Sequence, residues 1–306
     1  MEKSEVGNKT IKRAHIIVNT VALAGLLLII AFAVYALWDS EQLYKAADKT
    51  NYTVYKPTII NEGKPFKVLQ TENPDVIAWL SVYGTSIDYP VTQGQDNKKY
   101  VDTNAEGRYS LTGAIFLDAS NSKDFSDFNS ILYGHHMDRH AMFGDIGKFS
   151  DRKVFDTYRY GNLYYGGKDH GVEFFAFLHV DAYDNMIFVP GIGGNNRQKY
   201  LNELYSKAMY LRDIKISAND RIVLLCTCSS SSTNGRDILV GKITDEVYED
   251  QFGAGADGGN GQRNVSVLGT DFKISPQWFT LILILALLLT LLLLLEYRSR
   301  KQKKTI

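Results

Sequence analysis

Two cysteines and six prolines in 306 residues are few, and charge of either sign is not in excess, with 34 Lys and Arg against 34 Asp and Glu. Two cysteines cannot make the disulfide framework of a small secreted domain, so any folded part must rest on a hydrophobic core. A net charge of zero leaves no overall field to draw the chain to nucleic acid. Internal repeats are absent as well, which sets aside solenoids and propellers. Both cysteines stand in "LLCTCSSSSTNGRDILVGKI", residues 224–243. In an extended strand, residues two apart have Cα atoms about 7 Å apart, beyond comfortable disulfide reach, so Cys226 and Cys228 are not expected to bond to each other.

Long apolar runs are present. Residues 15–38, "HIIVNTVALAGLLLIIAFAVYALW", and 278–295, "WFTLILILALLLTLLLLL", each have the length of a membrane-spanning helix. The first is longer than the apolar part of a usual signal peptide and reads as an anchor. Lys9, Lys12 and Arg13 precede it, and Arg298, Arg300, Lys301, Lys303 and Lys304 follow the second. Positive flanks stay in the cytoplasm, so both termini are expected inside and residues 39–275 outside.

The outer portion is long enough for one β-rich domain. Residues 39–73 are polar and helix-compatible, interrupted by Pro57 and Pro65. Beyond them, short runs of Val, Ile, Phe and Tyr alternate with Gly, Asn and Asp clusters. This pattern predicts strands near 76–82, 86–91, 113–117, 129–134, 171–181, 185–189, 221–228 and 237–243. Leu201, Leu204, Tyr205, Ala208 and Leu211 recur at helical spacing, with Glu203 four residues before Lys207, so an amphipathic helix is expected over 197–212. A shorter helix is expected over "AMFGDIGKF". Residues 249–264, rich in glycine, read as a tether, with a lid as the alternative.

Three residues could carry chemistry. Ile222, Leu224, Cys226 and Cys228 share one face of the predicted strand, and Val223, Leu225 and Thr227 the other. Cys226 lies within the strand and reads as a small hydrophobe, whereas Cys228 stands at its exit as either a packing residue or a nucleophile. Arg236 opens the following strand, where it is either a solvated charge or a fork beside the sulfur. In "NSILYGHHMDRHAMFGD", His135 ends a strand and could exchange protons near neutral pH. His136 and His140 have the spacing of two zinc ligands on one helix face, but the glutamate of H-E-x-x-H is absent.

Taken together, these segments resemble the sortases. "LLCTC" is similar to the family's T-L-x-T-C signature, "ILYGHHM" to its histidine segment, and Arg236 stands where its downstream arginine falls. "SIDYPVTQGQDNKKY", "GAIFLD" and "AMFGDIGKF" look like class B members over about residues 70–245. Leu224 replaces the motif threonine, and Cys226 fills the variable position.

The resemblance implies a mostly β fold, an eight-stranded barrel with N-terminal helices and a helix added between late strands, and the two apolar runs place an expected transmembrane helix on each side of it. The division is then 1–14 cytoplasmic, 15–38 spanning, 39–73 helical, 74–248 catalytic barrel, 249–276 tether, 277–296 spanning and 297–306 a basic cytoplasmic tail. It also implies Cys228 as nucleophile, His135 as acid/base and Arg236 as oxyanion or substrate clamp, with neither metal nor cofactor. The substrates would be secreted proteins bearing an LPXTG-like sorting signal, and the acceptor a pilin lysine or a peptidoglycan cross-bridge amine. A zinc-dependent hydrolase and a non-catalytic surface-binding module are the alternatives from other classes.

Overall fold

The computed structural model describes residues 2–58, 62–229 and 234–253. The second apolar run, the basic tail, most of the expected tether and residues 230–233 of the serine loop lie outside the described residues. Helix α1 (Glu2–Ala47) contains the whole of residues 15–38. Among the described residues it is the one helix long and apolar enough to cross a membrane. Residues Leu43–Gln262 form a compact unit of their own.

That unit begins with the last turn of α1, a 3-10 helix at Lys49–Tyr55 and helix α2 (Lys64–Glu72), with Pro65 in its first turn where the missing amide costs nothing. The strands are β1 (Val76–Val82), β2 (Asp88–Thr92), β3 (Ile115–Leu117), β4 (Asn129–Tyr133), β5 (Tyr160–Tyr165), β6 (Lys168–Asp181), β7 (Ala208–Leu211), β8 (Arg221–Cys228) and β9 (Gly235–Thr244). Eight of them close a circuit in the order β5-β1-β2-β3-β4-β8-β9-β6 and back to β5. The pairs β2–β3 and β4–β8 are parallel and the rest antiparallel, so the barrel is mixed. The ninth strand, β7, adds to the outer half of the long β6.

Strand β8 is buried on both sides, as its apolar run requires, and its two faces feed separate cores. Val223 and Leu225 pack with Phe174, Phe177 and Leu239. Ile222, Leu224 and Cys226 pack instead under helix α4 (Asn196–Lys207), against Tyr200, Leu201 and Leu204.

Several expectations need correction. Residues 185–189 are not a strand, because the Asp184 carboxylate accepts from the amides of Met186 and Ile187 at 3.0 and 3.2 Å, holding a local turn. Strand β5 was not expected; it pairs with β6 through the turn at Gly166 and Gly167, whose φ of 59° and 83° suits a two-residue hairpin loop. Helix α4 ends at Lys207 rather than 212, since residues 208–211 pair with β6, although the Glu203–Lys207 bridge forms at 2.9 Å. Within "AMFGDIGKF" the helical part is a 3-10 turn, Ile146–Ser150, and helix α3 (Arg152–Thr157) follows. Of the expected tether, only residues 249–253 are described. Phe252 packs edge-on to Tyr158 at 5.1 Å, next to Tyr248 stacked on Tyr160 at 4.1 Å.

Candidate active site

Because β4 and β8 are parallel neighbours, their C-terminal ends arrive together at one end of the barrel. Two bonds join Gly134, the first residue past β4, to the end of β8. The Gly134 amide donates to the Cys226 carbonyl at 3.2 Å, and the Thr227 hydroxyl donates to the Gly134 carbonyl at 2.8 Å. Strand β9 runs antiparallel to β8 and sets Arg236 directly opposite Cys228. The result is a cleft of about 230 Å³ with Cys228, His135 and Arg236 in its lining. The three residues singled out from sequence thus share one cavity, although they come from distant parts of the chain.

Each member has a distinct environment. Cys228 is exposed and unbonded to its neighbour, whereas Cys226 is 2 % exposed. Burial pushes the Cys226 thiol up to about 12, against the pull of the nearby Arg236 charge, so it stays a neutral thiol. The Nε2 atom of His135 lies 2.8 Å from the Val101 carbonyl oxygen. A carbonyl has no proton to give, so Nε2 is the donor and proton exchange falls to Nδ1. Arg236 donates from Nη1 to the Gly235 carbonyl at 2.9 Å, so one terminal nitrogen of the guanidinium is held by the backbone of its own strand. The next residue, Asp237, does not neutralise it: strand alternation turns Asp237 to the opposite face, where it bonds His179 Nδ1 at 2.8 Å.

Other wall residues carried no functional reading from sequence. Tyr133 and Phe116 line the cleft with ring centroids 5.4 Å apart. The Tyr133 hydroxyl donates to Asp118 at 3.1 Å, and burial together with that carboxylate raises its pKa far above the usual phenol value. Asn97, also in the wall, donates to the same carboxylate at 2.8 Å. Tyr133 could have been found, since it ends β4 two residues before His135, but nothing local marks Asn97.

The zinc alternative needs His136 and His140 on one helix face. Residues 136–140 are not helical: His136 bridges Met142, His140 bonds Asp145 at 2.7 Å, and the two imidazoles share no helix face. Among the described residues no group of three or more His, Cys, Asp or Glu side chains converges as a metal site requires.

No protein-family model matches the chain. Sortase B of Listeria monocytogenes is 31 % identical over 177 residues, covering 57 % of this chain and 72 % of its own. The chain belongs to the sortase B family. Its members are cysteine transpeptidases, and the exposed thiol in a shared cleft agrees with that chemistry. Two solved sortases are similar over most of the barrel. Sortase B from the type II pilus of Streptococcus pneumoniae is 50 % identical, with a TM-score of 0.52 over 59 % of this chain and 99 % of that one. A class B sortase of Streptococcus pyogenes involved in pilus biogenesis is 36 % identical, with a TM-score of 0.55 over 60 % and 99 %.

Proposed function

We propose that this sortase assembles pili, with Cys228 as nucleophile, His135 as acid/base and Arg236 as clamp. The cleft shared by these three side chains carries the reading. In the first step Cys228 gives its thiol proton to His135, and the sulfur attacks the threonine carbonyl carbon of the Thr–Gly bond in an LPXTG-like sorting signal. The carbon–nitrogen bond breaks, the departing amine takes a proton from His135, and a thioacyl-enzyme remains. In the second step a lysine amine of the next pilin gives a proton to His135 and attacks the thioester, and the thiolate leaves. Arg236, held opposite Cys228, donates to the oxygen that gains charge in each tetrahedral intermediate, a contribution of roughly 3 kcal/mol for a well-placed donor.

The pilus role rests on the two streptococcal relatives associated with pili. The N-terminal helix, which has the length and composition of a membrane anchor, favours a location at the cell membrane with the barrel outside. A gene deletion tests both readings. Loss of a high-molecular-weight ladder from cell-wall extracts supports polymerisation. An intact ladder with release of single surface proteins would instead assign the acceptor to the peptidoglycan cross-bridge.

A further inference from the structure

The turn that follows His135 is made of backbone that its sequence does not favour. Between Gly134 and Gly144 the chain doubles back, and three residues that are not glycine have positive φ: Arg139 at 56°, His140 at 66° and Met142 at 52°. Side chains other than glycine disfavour this region, and such a turn persists only where its surroundings hold it. From inside the turn, the Phe143 amide donates to the His135 carbonyl at 3.0 Å, and His140 is held by Asp145.

From outside, the hold comes through one phenol. The Met142 amide donates to the Tyr89 hydroxyl at 3.1 Å, and the same hydroxyl donates to the Ala47 carbonyl at 3.0 Å. A hydroxyl has one proton, so this arrangement uses it fully. Ala47, the last residue of α1, is 1 % exposed, Tyr89 2 % and Met142 3 %. Water therefore does not replace either bond. Burial raises the Tyr89 phenol to about 12, which keeps the donor proton in place at neutral pH. One turn earlier on α1, the Tyr44 ring lies 4.3 Å beneath the Arg139 guanidinium, a second contact between the same helix end and the same turn.

We propose that Tyr89 is a positioning residue for the transpeptidation: by joining the end of α1 to Met142 it holds the left-handed turn that aims His135 into the cleft beside Cys228. The inference rests on the reading of His135 as acid/base. Tyr89 touches no reacting atom and acts through the turn. Without its hydroxyl, the Ala47 carbonyl and the Met142 amide lose their buried partners, and the turn relaxes towards φ values that His140 and Met142 prefer.

The test uses the full chain in detergent and an internally quenched peptide carrying an LPXTG-like signal. Tyr89→Phe keeps the ring, which packs against Tyr52, and removes the bridge. Its kcat should fall about tenfold with KM changed less than about twofold, because misplacing a catalytic group slows chemistry more than binding. Adding His140→Gly should recover about a third or more of the lost kcat on a logarithmic scale, because glycine takes positive φ without strain. Wild-type kcat in Tyr89→Phe, equal losses through KM, or no recovery with glycine would each overturn the proposal. Should Tyr89→Phe not fold, His140→Val carries the test: a β-branched residue resists φ of 66°, and an unchanged kcat would refute the role of the turn. His135→Ala separates the two claims. Turnover in that variant removes the acid/base reading itself, whereas an inactive His135→Ala beside a normal Tyr89→Phe removes only Tyr89.

Discussion

Cys226 and Cys228 share a strand face yet differ in fate, because the strand leaves its core between them. Cys226 has α4 above it, while Cys228 has passed the end of the packed region and opens to the cleft. Cys228→Ala should therefore abolish both peptide cleavage and the thioacyl adduct seen by mass spectrometry, and cleavage by that variant would discard Cys228 as nucleophile. Cys226→Ala should keep substantial turnover. Cys226→Ser should lose more stability than the alanine variant, by about 1–3 kcal/mol in chemical denaturation, since a hydroxyl there is desolvated without a partner. At Arg236 the geometry of the fork matters beyond its charge. One terminal nitrogen is held by the Gly235 carbonyl while the planar fork carries further donors, an arrangement that a lysine ammonium cannot copy. Arg236→Lys should lower kcat/KM by about tenfold or more, and near-normal turnover would remove the guanidinium from the site.

The elements around these residues were legible in unequal measure, for physical reasons. Strand β8 was plain, because both its faces pack and its apolar run is unbroken. Strand β5 escaped notice because "YGNLYY" alternates weakly, even though the adjacent Gly166-Gly167 pair is a hairpin signal. Ala208 and Leu211 fit the helical period of residues 197–212, but sheet pairing with β6 overrides it and ends the helix at Lys207. The antiparallel approach of Arg236 to Cys228 could be read from a short connection between two strands. The parallel pairing of β4 with β8, which delivers His135, leaves no mark in local sequence. Gly134 is the element-scale lever on that delivery. A Cβ there would lie 2.7 Å from the Phe143 ring, which is fully buried and has no space to yield. Gly134→Ala should therefore shift the root of the His135 turn and lower kcat at least about tenfold. Full activity in that variant would show that the contact relaxes without moving the histidine.

At the scale of the whole molecule, the barrel unit and the long apolar helix α1 are one chain but separable problems. Residues Leu43–Gln262 retain the last turn of α1, including Tyr44 and Ala47, and every described residue of the cleft. A soluble chain of residues 43–262 should therefore cleave a short sorting peptide with kcat/KM within about twofold of the full chain, because free diffusion supplies both equally. The comparison changes when the substrate is a protein held in vesicles by its own apolar tail. Confinement of enzyme and substrate to one surface raises their effective concentration, and the full chain should outpace the soluble one by about tenfold or more. Diluting the vesicle-bound substrate with excess lipid should erode that advantage, since the gain depends on surface density and adds no contact at the cleft. Equal rates on vesicles at every dilution would mean that α1 contributes nothing to encounter. Unequal rates on the short peptide would mean instead that residues outside 43–262 act on the catalytic unit itself.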